Sequence, residues 1–220
     1  MKTETIPGTV QAFESLRQFA RKPQRRVEQC ELCGAGLRTE HPHLIELTQR
    51  KLLCACDACS LLFSGRAGAK YKRVPRDVRF LASFRMTDAE WEGLLIPINL
   101  AFFFQNSLNS RVSAFYPSPA GATESMLPLE TWTGIVRANP ILSLLESDVE
   151  ALLVNRVGHS RGPSPAEYYT VPIDACYKLV GLIRLHWRGL SGGTEVWQEI
   201  GKFFAELRAK ADVVTEEMHA

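Results

Sequence analysis

The sequence predicts an α+β protein with a small N-terminal four-cysteine module and a larger ββα–ββα domain closed by a C-terminal helix. Three observations predict it. Two C-x2-C units, Cys30–Cys33 and Cys56–Cys59, lie 22 residues apart in a segment too polar to fold by burial alone. Between residues 87 and 187, short β-type apolar runs alternate with stretches of helical period. Near the end, Val196, Trp197, Ile200, Phe203, Phe204 and Leu207 recur at the spacing of a buried helix face.

The elements follow in chain order. Val10, Phe13, Leu16 and Phe19 predict a short amphipathic helix from Thr9 to Ala20, ended by Arg21-Lys22-Pro23. A basic linker runs to Arg26, and residues 1–27 precede the first cysteine unit. His43–Leu47 and Lys51–Ala55 flank the polar Thr48-Gln49-Arg50 and predict a β-hairpin between the two cysteine units. Knuckle, hairpin, knuckle is the plan of a zinc ribbon, here over residues 28–65. Gly34 after Cys33 suits it, because a knuckle closes on a positive φ that glycine adopts without steric cost.

The α+β domain is expected over residues 66–210. Thr87-Asp-Ala-Glu90 is a capping box opening a helix through Trp91, Leu94 and Leu95. Ile98–Phe104 and Val112–Tyr116 predict a strand pair, and Pro117–Thr123 reads as a loop. Leu129–Ala138 and Ile141–Leu145 predict helices parted by Asn139-Pro140. Glu150–Val157 and Tyr168–Val171 predict strands, with an exposed loop between them that holds His159. A helix from Pro172 and Asp174 to about Trp187 follows, with Cys176 in its core face. Gly189–Gly193 breaks it before the last helix, and residues 211–220 are expected to fray.

At 45% hydrophobic and 23% charged residues, the composition is that of an ordinary globular protein. The longest apolar run, Ile96–Phe104, is interrupted by Pro97 and Asn99 and falls short of the roughly 20 residues of a membrane-spanning helix. The N-terminus has no apolar signal-peptide core, and four of the six cysteines have metal-type spacing, so a reducing cytoplasm is expected. Residues 1–85 hold 16 Lys and Arg against 8 Asp and Glu, whereas the remainder is acidic. That asymmetry fits docking between the halves or a basic surface for an acidic partner.

The chemistry lies in the cysteines. A C-x2-C turn brings two sulfurs to one metal, and two such turns complete a tetrahedral four-thiolate site at Cys30, Cys33, Cys56 and Cys59. Zinc is the expected ion, with iron or an iron–sulfur cluster as the alternative for the same ligands. Cys54 shares a strand side with Cys56 and is weighed as a substitute or additional ligand, a redox-sensitive thiol, or a buried small hydrophobe. His41 and His43 lie between the units, but four cysteines already suffice. His159 and His186 have no partner at motif spacing. Gly189–Thr194 is read as capping chemistry rather than an anion site. Phosphate-loop, dinucleotide, zincin and nucleophile-elbow motifs do not occur, so no catalytic residue is assigned.

Five segments carry a resemblance: CELCGAGL from Cys30, LLCACDACSLLF from Leu52, AFYPSPAGATES from Ala114, EALLVNRV from Glu150 and IRLHWRGLSGGTEVW from Ile183. Together they resemble an uncharacterised bacterial family encoded in gene clusters of actinobacterial-type, oxygen-tolerant nickel–iron hydrogenases and their maturation factors. The resemblance spans about residues 28–208 and implies the metal site at the four cysteines, with Cys54 in the same pattern. The resulting expectation is a non-enzymatic metal-binding accessory protein for hydrogenase biogenesis or assembly, whose partner is a hydrogenase subunit or maturation factor. A redox or electron-transfer protein is the alternative. Nucleic-acid binding through the basic front half ranks third, since that stretch contains no recognisable DNA or RNA module.

Overall fold

A computed structural model describes residues 28–66, 68–126, 128–158 and 165–215. The helix expected over residues 9–20, the basic linker and His159 lie outside them.

The cysteine-bearing part is built on a three-stranded antiparallel sheet. Strands β1 (His43–Glu46) and β2 (Lys51–Cys54) form the expected hairpin, with His43 opposite Cys54 and Glu46 opposite Lys51. The turn closes with Arg50 at φ 54° and with the Gln49 N–H donating to Glu46 Oε2 at 3.0 Å. A short helix, α1 (Asp57–Leu62), follows the second cysteine unit. The third strand, β3 (Tyr71–Arg73), pairs with β1, so this sheet takes a strand from beyond residue 65.

One seven-stranded sheet organises the rest. Its members are β4 (Arg79–Leu81), β5 (Leu100–Asn106), β6 (Arg111–Ser118), β7 (Gly121–Ser125), β8 (Glu150–Asn155), β9 (Glu167–Pro172) and β10 (Asp212–Val214). They lie in the order β10-β4-β9-β8-β5-β6-β7. All pairs are antiparallel except β10 with β4. Side chains alternate across a strand, and here both faces are apolar. Leu100, Phe102 and Phe104 of β5, with Ala151 and Leu153 of β8 and Tyr169 of β9, enter one core. Ala101 and Phe103, with Leu152, Val154 and Tyr168, enter the other.

Helices cover both faces. Helix α4 (Ile173–His186) packs Cys176, Leu179, Val180 and Ile183 on the first face. Helix α5 (Gly193–Lys210) adds Val196, Ile200, Phe203, Phe204 and Leu207, the stripe expected from its period, with Trp197 half-buried at the edge. The second face receives Trp91 and Leu94 from α2 (Asp88–Gly93) and its C-cap, Trp132 and Ile135 from α3 (Leu129–Ala138), and Leu142 from a 3-10 turn over Pro140–Leu144. The Thr87–Glu90 capping box is formed as expected, with both reciprocal bonds present.

The ββα–ββα arrangement is not what forms. The first unit has three strands, because Pro117–Thr123 is a hairpin and not a loop. Ser118 pairs with Gly121, leaving Pro119 and Ala120 as a two-residue turn, and the Ser118 hydroxyl donates to the Gly121 carbonyl at 2.9 Å. Pro117 is tolerated in β6 because it lies beyond Phe115, the residue opposite Phe102 where the β5 pairing ends, so no neighbour on that side lacks a donor. The final segment also departs from expectation: Asp212–Val214 does not fray but adds to the exposed edge of β4, with Val213 opposite Phe80.

The small sheet docks on the large one. Ile45 and Val74 enter the first core, and the Arg50 guanidinium stacks over Phe104 at 4.5 Å and Phe115 at 5.2 Å. A partly desolvated cation–π contact of this kind is worth about 1–2 kcal/mol. Arg50→Ala is therefore expected to lower unfolding stability by about that amount, read as a shift in urea midpoint at constant slope.

Candidate metal centre

The first knuckle is held by its own backbone. The Cys30 N–H donates to Ala35 O at 2.8 Å, and the Gly34 N–H returns to Cys30 O at 2.8 Å. Gly34 takes φ 77°, the left-handed value that the sequence calls for. In the second knuckle Cys56 caps α1, and its Sγ accepts from the Cys59 N–H at 3.4 Å. Glu31 ties the first knuckle to β2: its N–H donates to Cys54 O at 2.9 Å, and its carboxylate accepts from the Cys54 N–H at 2.8 Å and Lys51 Nζ at 2.9 Å. Burial works to raise the Glu31 carboxyl, but Lys51 and the Cys54 N–H outweigh it and hold it low.

These turns bring the Sγ atoms of Cys30, Cys33, Cys56 and Cys59 within 4.8 Å of one another. Zn–S bonds of about 2.3 Å require tetrahedral edges near ~3.8 Å, and the Cys33–Cys56 sulfurs stand 3.7 Å apart. Cys30 and Cys59 are buried, Cys56 is half-buried and Cys33 is exposed. The protonation energetics are uneven. Burial opposes ionisation of Cys30, but backbone N–H groups of Cys56, Leu32 and Cys33 reverse it and lower the thiol. Cys59 is pushed upward, first by burial and then by the three neighbouring sulfurs. Four converging sulfurs with opposed tendencies suit a cation that offsets their mutual repulsion. Such a set can hold a metal ion, and the donor chemistry by itself admits zinc or iron.

Cys54 falls in a different group. It is half-buried on β2, and its sulfur lies with one ring nitrogen each of His41 and His43, all within 4.8 Å. Burial, then Glu28, Glu31 and Cys30, raise its thiol. The two histidines were legible only as spare ligands between the cysteine units. The signal that relates them to Cys54 is the hairpin register, which places His43 across from it.

The remaining candidates have ordinary roles. Cys176 is fully buried in the first core, which pushes its thiol well above the usual range. His186 Nδ1 is paired with Glu195 at 2.7 Å. In the Gly189–Thr194 turn, Gly192 caps α5 at φ 86°, and acidic Glu195 occupies the first turn. Two basic groups of the front half are paired with acids of the back half: Lys72 with Asp148 at 3.2 Å and Arg79 with Glu150 at 4.0 Å. The charge asymmetry thus corresponds in part to docking between the halves.

The family of unknown function DUF5947 matches residues 29–211, from the first knuckle to the end of α5. The chain belongs to that family. No curated protein and no solved structure matches it. Among the described residues, no helix is long and apolar enough to cross a membrane.

Proposed function

We propose that Cys30, Cys33, Cys56 and Cys59 ligate one structural zinc ion and that the protein is a non-enzymatic, cytoplasmic accessory factor whose zinc-held module and α+β domain form a docking surface. The observation that carries the metal reading is the convergence of four sulfurs from two separate knuckles within 4.8 Å. A site closed by four protein ligands fixes structure, in contrast to catalytic zinc sites, which keep a position open. The absence of nucleotide-binding and hydrolase motifs from the sequence agrees with a binding role. The partner proposed is a subunit or maturation factor of a nickel–iron hydrogenase, supported by the segment resemblance alone.

Elemental analysis with an absorption spectrum tests the metal: one zinc per chain in a colourless protein is expected. A coloured, iron-containing protein from anaerobic purification replaces this reading with electron transfer on the same cysteines. Affinity purification from a native host tests the partner, with enrichment of a hydrogenase subunit or maturation factor and reduced hydrogenase activity in a deletion strain as the expected results. Normal activity and no such enrichment defeat the hydrogenase role. A salt-dependent shift with DNA or RNA supports nucleic-acid binding instead.

A further inference from the structure

We infer that His41, His43 and Cys54 form a second metal site, which takes a late first-row divalent ion and keeps one coordination position open to the groove between the small sheet and helices α4 and α5. The four-cysteine reading neither requires this site nor supplies any of its ligands.

The local fold builds the cluster. His41 and His43 are two residues apart at the entry to β1, so an extended chain puts both on one side. Cys54 is the residue opposite His43 in the antiparallel ladder, and cross-strand neighbours carry their Cβ atoms about 5 Å apart. The two rings meet edge to face with centroids 4.9 Å apart. One nitrogen of each ring and the Cys54 sulfur lie within 4.8 Å of one another. A tetrahedral ion with Zn–N near 2.0 Å and Zn–S near 2.3 Å needs donor separations of roughly 3.3–3.6 Å, a closure of about an ångström that side-chain torsions can supply.

Hydrogen bonding prepares both rings as ligands. His41 Nδ1 lies 2.9 Å from the Arg38 carbonyl and 3.6 Å from a Glu28 carboxylate oxygen. Both neighbours are acceptors, so Nδ1 carries the proton and Nε2 presents a lone pair. That Nε2 is buried, and no hydrogen-bond partner reaches it. A buried acceptor with no donor calls for a physical explanation, and a metal ion at the cluster supplies one. His43 Nδ1 lies 2.6 Å from Asp174 Oδ2, in the first turn of α4 and 131 residues away in sequence. A carboxylate behind one imidazole and a backbone carbonyl behind the other is the outer shell that orients metal-bound histidine. Two imidazoles and a thiolate favour zinc, cobalt, nickel or copper over magnesium or calcium.

The histidines, Leu52 and Asp174 line a groove of about 660 Å³ that reaches Lys178 and Phe203. An ion held by three protein ligands at its edge has a fourth position for water or for a donor from a docked molecule, so it exchanges more readily than one enclosed by four sulfurs.

Titration with Co²⁺ of purified protein brought to one zinc per chain, so that only the four-cysteine site is filled, tests the inference. One additional equivalent is expected, with a near-ultraviolet sulfur-to-cobalt charge-transfer band and no release of the resident zinc to a chelating dye. Cys54→Ser is expected to abolish the band. His41→Gln and His43→Gln are expected to weaken the second ion at least tenfold, and Asp174→Ala by about 10–100-fold. All four variants should keep the first ion and the parent far-ultraviolet circular dichroism. Four substitutions in different side chains leave the test readable if one of them fails to fold. Absence of a second equivalent, a cobalt spectrum unchanged by Cys54→Ser and His41→Gln, or uptake only by displacement of zinc overturns the inference. The two sites are told apart by Cys54→Ser, which is expected to remove the cobalt band and leave the tight ion in place, whereas Cys59→Ser is expected to release the tight ion and, by loosening the segment that holds Cys54, to weaken the second site as well.

Discussion

Cys59→Ser is expected to release the tightly held ion and unfold the knuckles while leaving the seven-stranded sheet in place. The physical basis is the small size of what otherwise holds this part together. Its own core consists of Cys30, Leu44, Leu53, Ala55 and Cys59, of which two are proposed ligands. Structural zinc in comparable small modules contributes roughly 10–16 kcal/mol of apparent binding free energy, and that binding energy is folding energy. Serine cannot replace the ligand, because its hydroxyl does not ionise near neutral pH and forms no thiolate bond. Hydrogen exchange checks the outcome residue by residue. Protection should vanish around residues 30–36 and 53–62 and persist in β5 and β8, whose side chains fill both faces of the large sheet. Full protection of the knuckles in the variant, or retained zinc, refutes the ligand assignment. Removal of the ion from the parent by a chelator should reproduce the same pattern.

Phe102→Ala should produce the largest loss in the other half of the molecule. Phe102 has no solvent exposure and lies on β5 between β6 and β8. Its ring stacks on Phe115 at 5.6 Å and Phe104 at 6.4 Å and meets Tyr177 of α4 edge-on at 6.2 Å. Truncation leaves a cavity bounded on one side by a hydrogen-bonded sheet, which cannot collapse inward. Phenylalanine-to-alanine changes in such positions cost about 3–5 kcal/mol, against a total of roughly 5–15 kcal/mol for a typical protein. Urea unfolding should show a midpoint shift of that size with unchanged slope, and Phe102→Leu a smaller loss, because leucine keeps most of the buried volume but not the ring contacts. Metal content should be unaffected in both, since Phe102 belongs to the large core and not to the cysteine cluster.

Elements with a local cause were legible in advance. The capping box at Thr87, the hairpin around residues 48–50 and the stripe of α5 each depend on residues close in sequence, and each is present. Segments whose state depends on a distant partner were misread. Pro117–Thr123 has the composition of a loop, but β6 already pairs with β5, so extending the hairpin gains a ladder at little further entropic cost. Asp212–Val214 is too short to hold a strand alone despite its two β-favouring valines, and is ordered by the free edge of β4. Tyr71–Arg73 reads as part of a basic stretch, and only pairing with β1 shows it as the third strand of the cysteine-bearing sheet.

The same division runs through the chemistry. Sequence alone determined the four-sulfur cluster, because a C-x2-C turn is a local structure and two of them around a hairpin have few ways to close. It also determined that the last helix is buried, since a period of 3.6 needs no knowledge of what it packs against. Tertiary structure decided which residues stand beside Cys54. Spacing placed that thiol next to the four-cysteine set, whereas strand register put it opposite His43. The docking of α4 then brought Asp174 behind the ring. Pairing across a ladder and contact across 131 residues are set by the whole fold, and no local pattern encodes them.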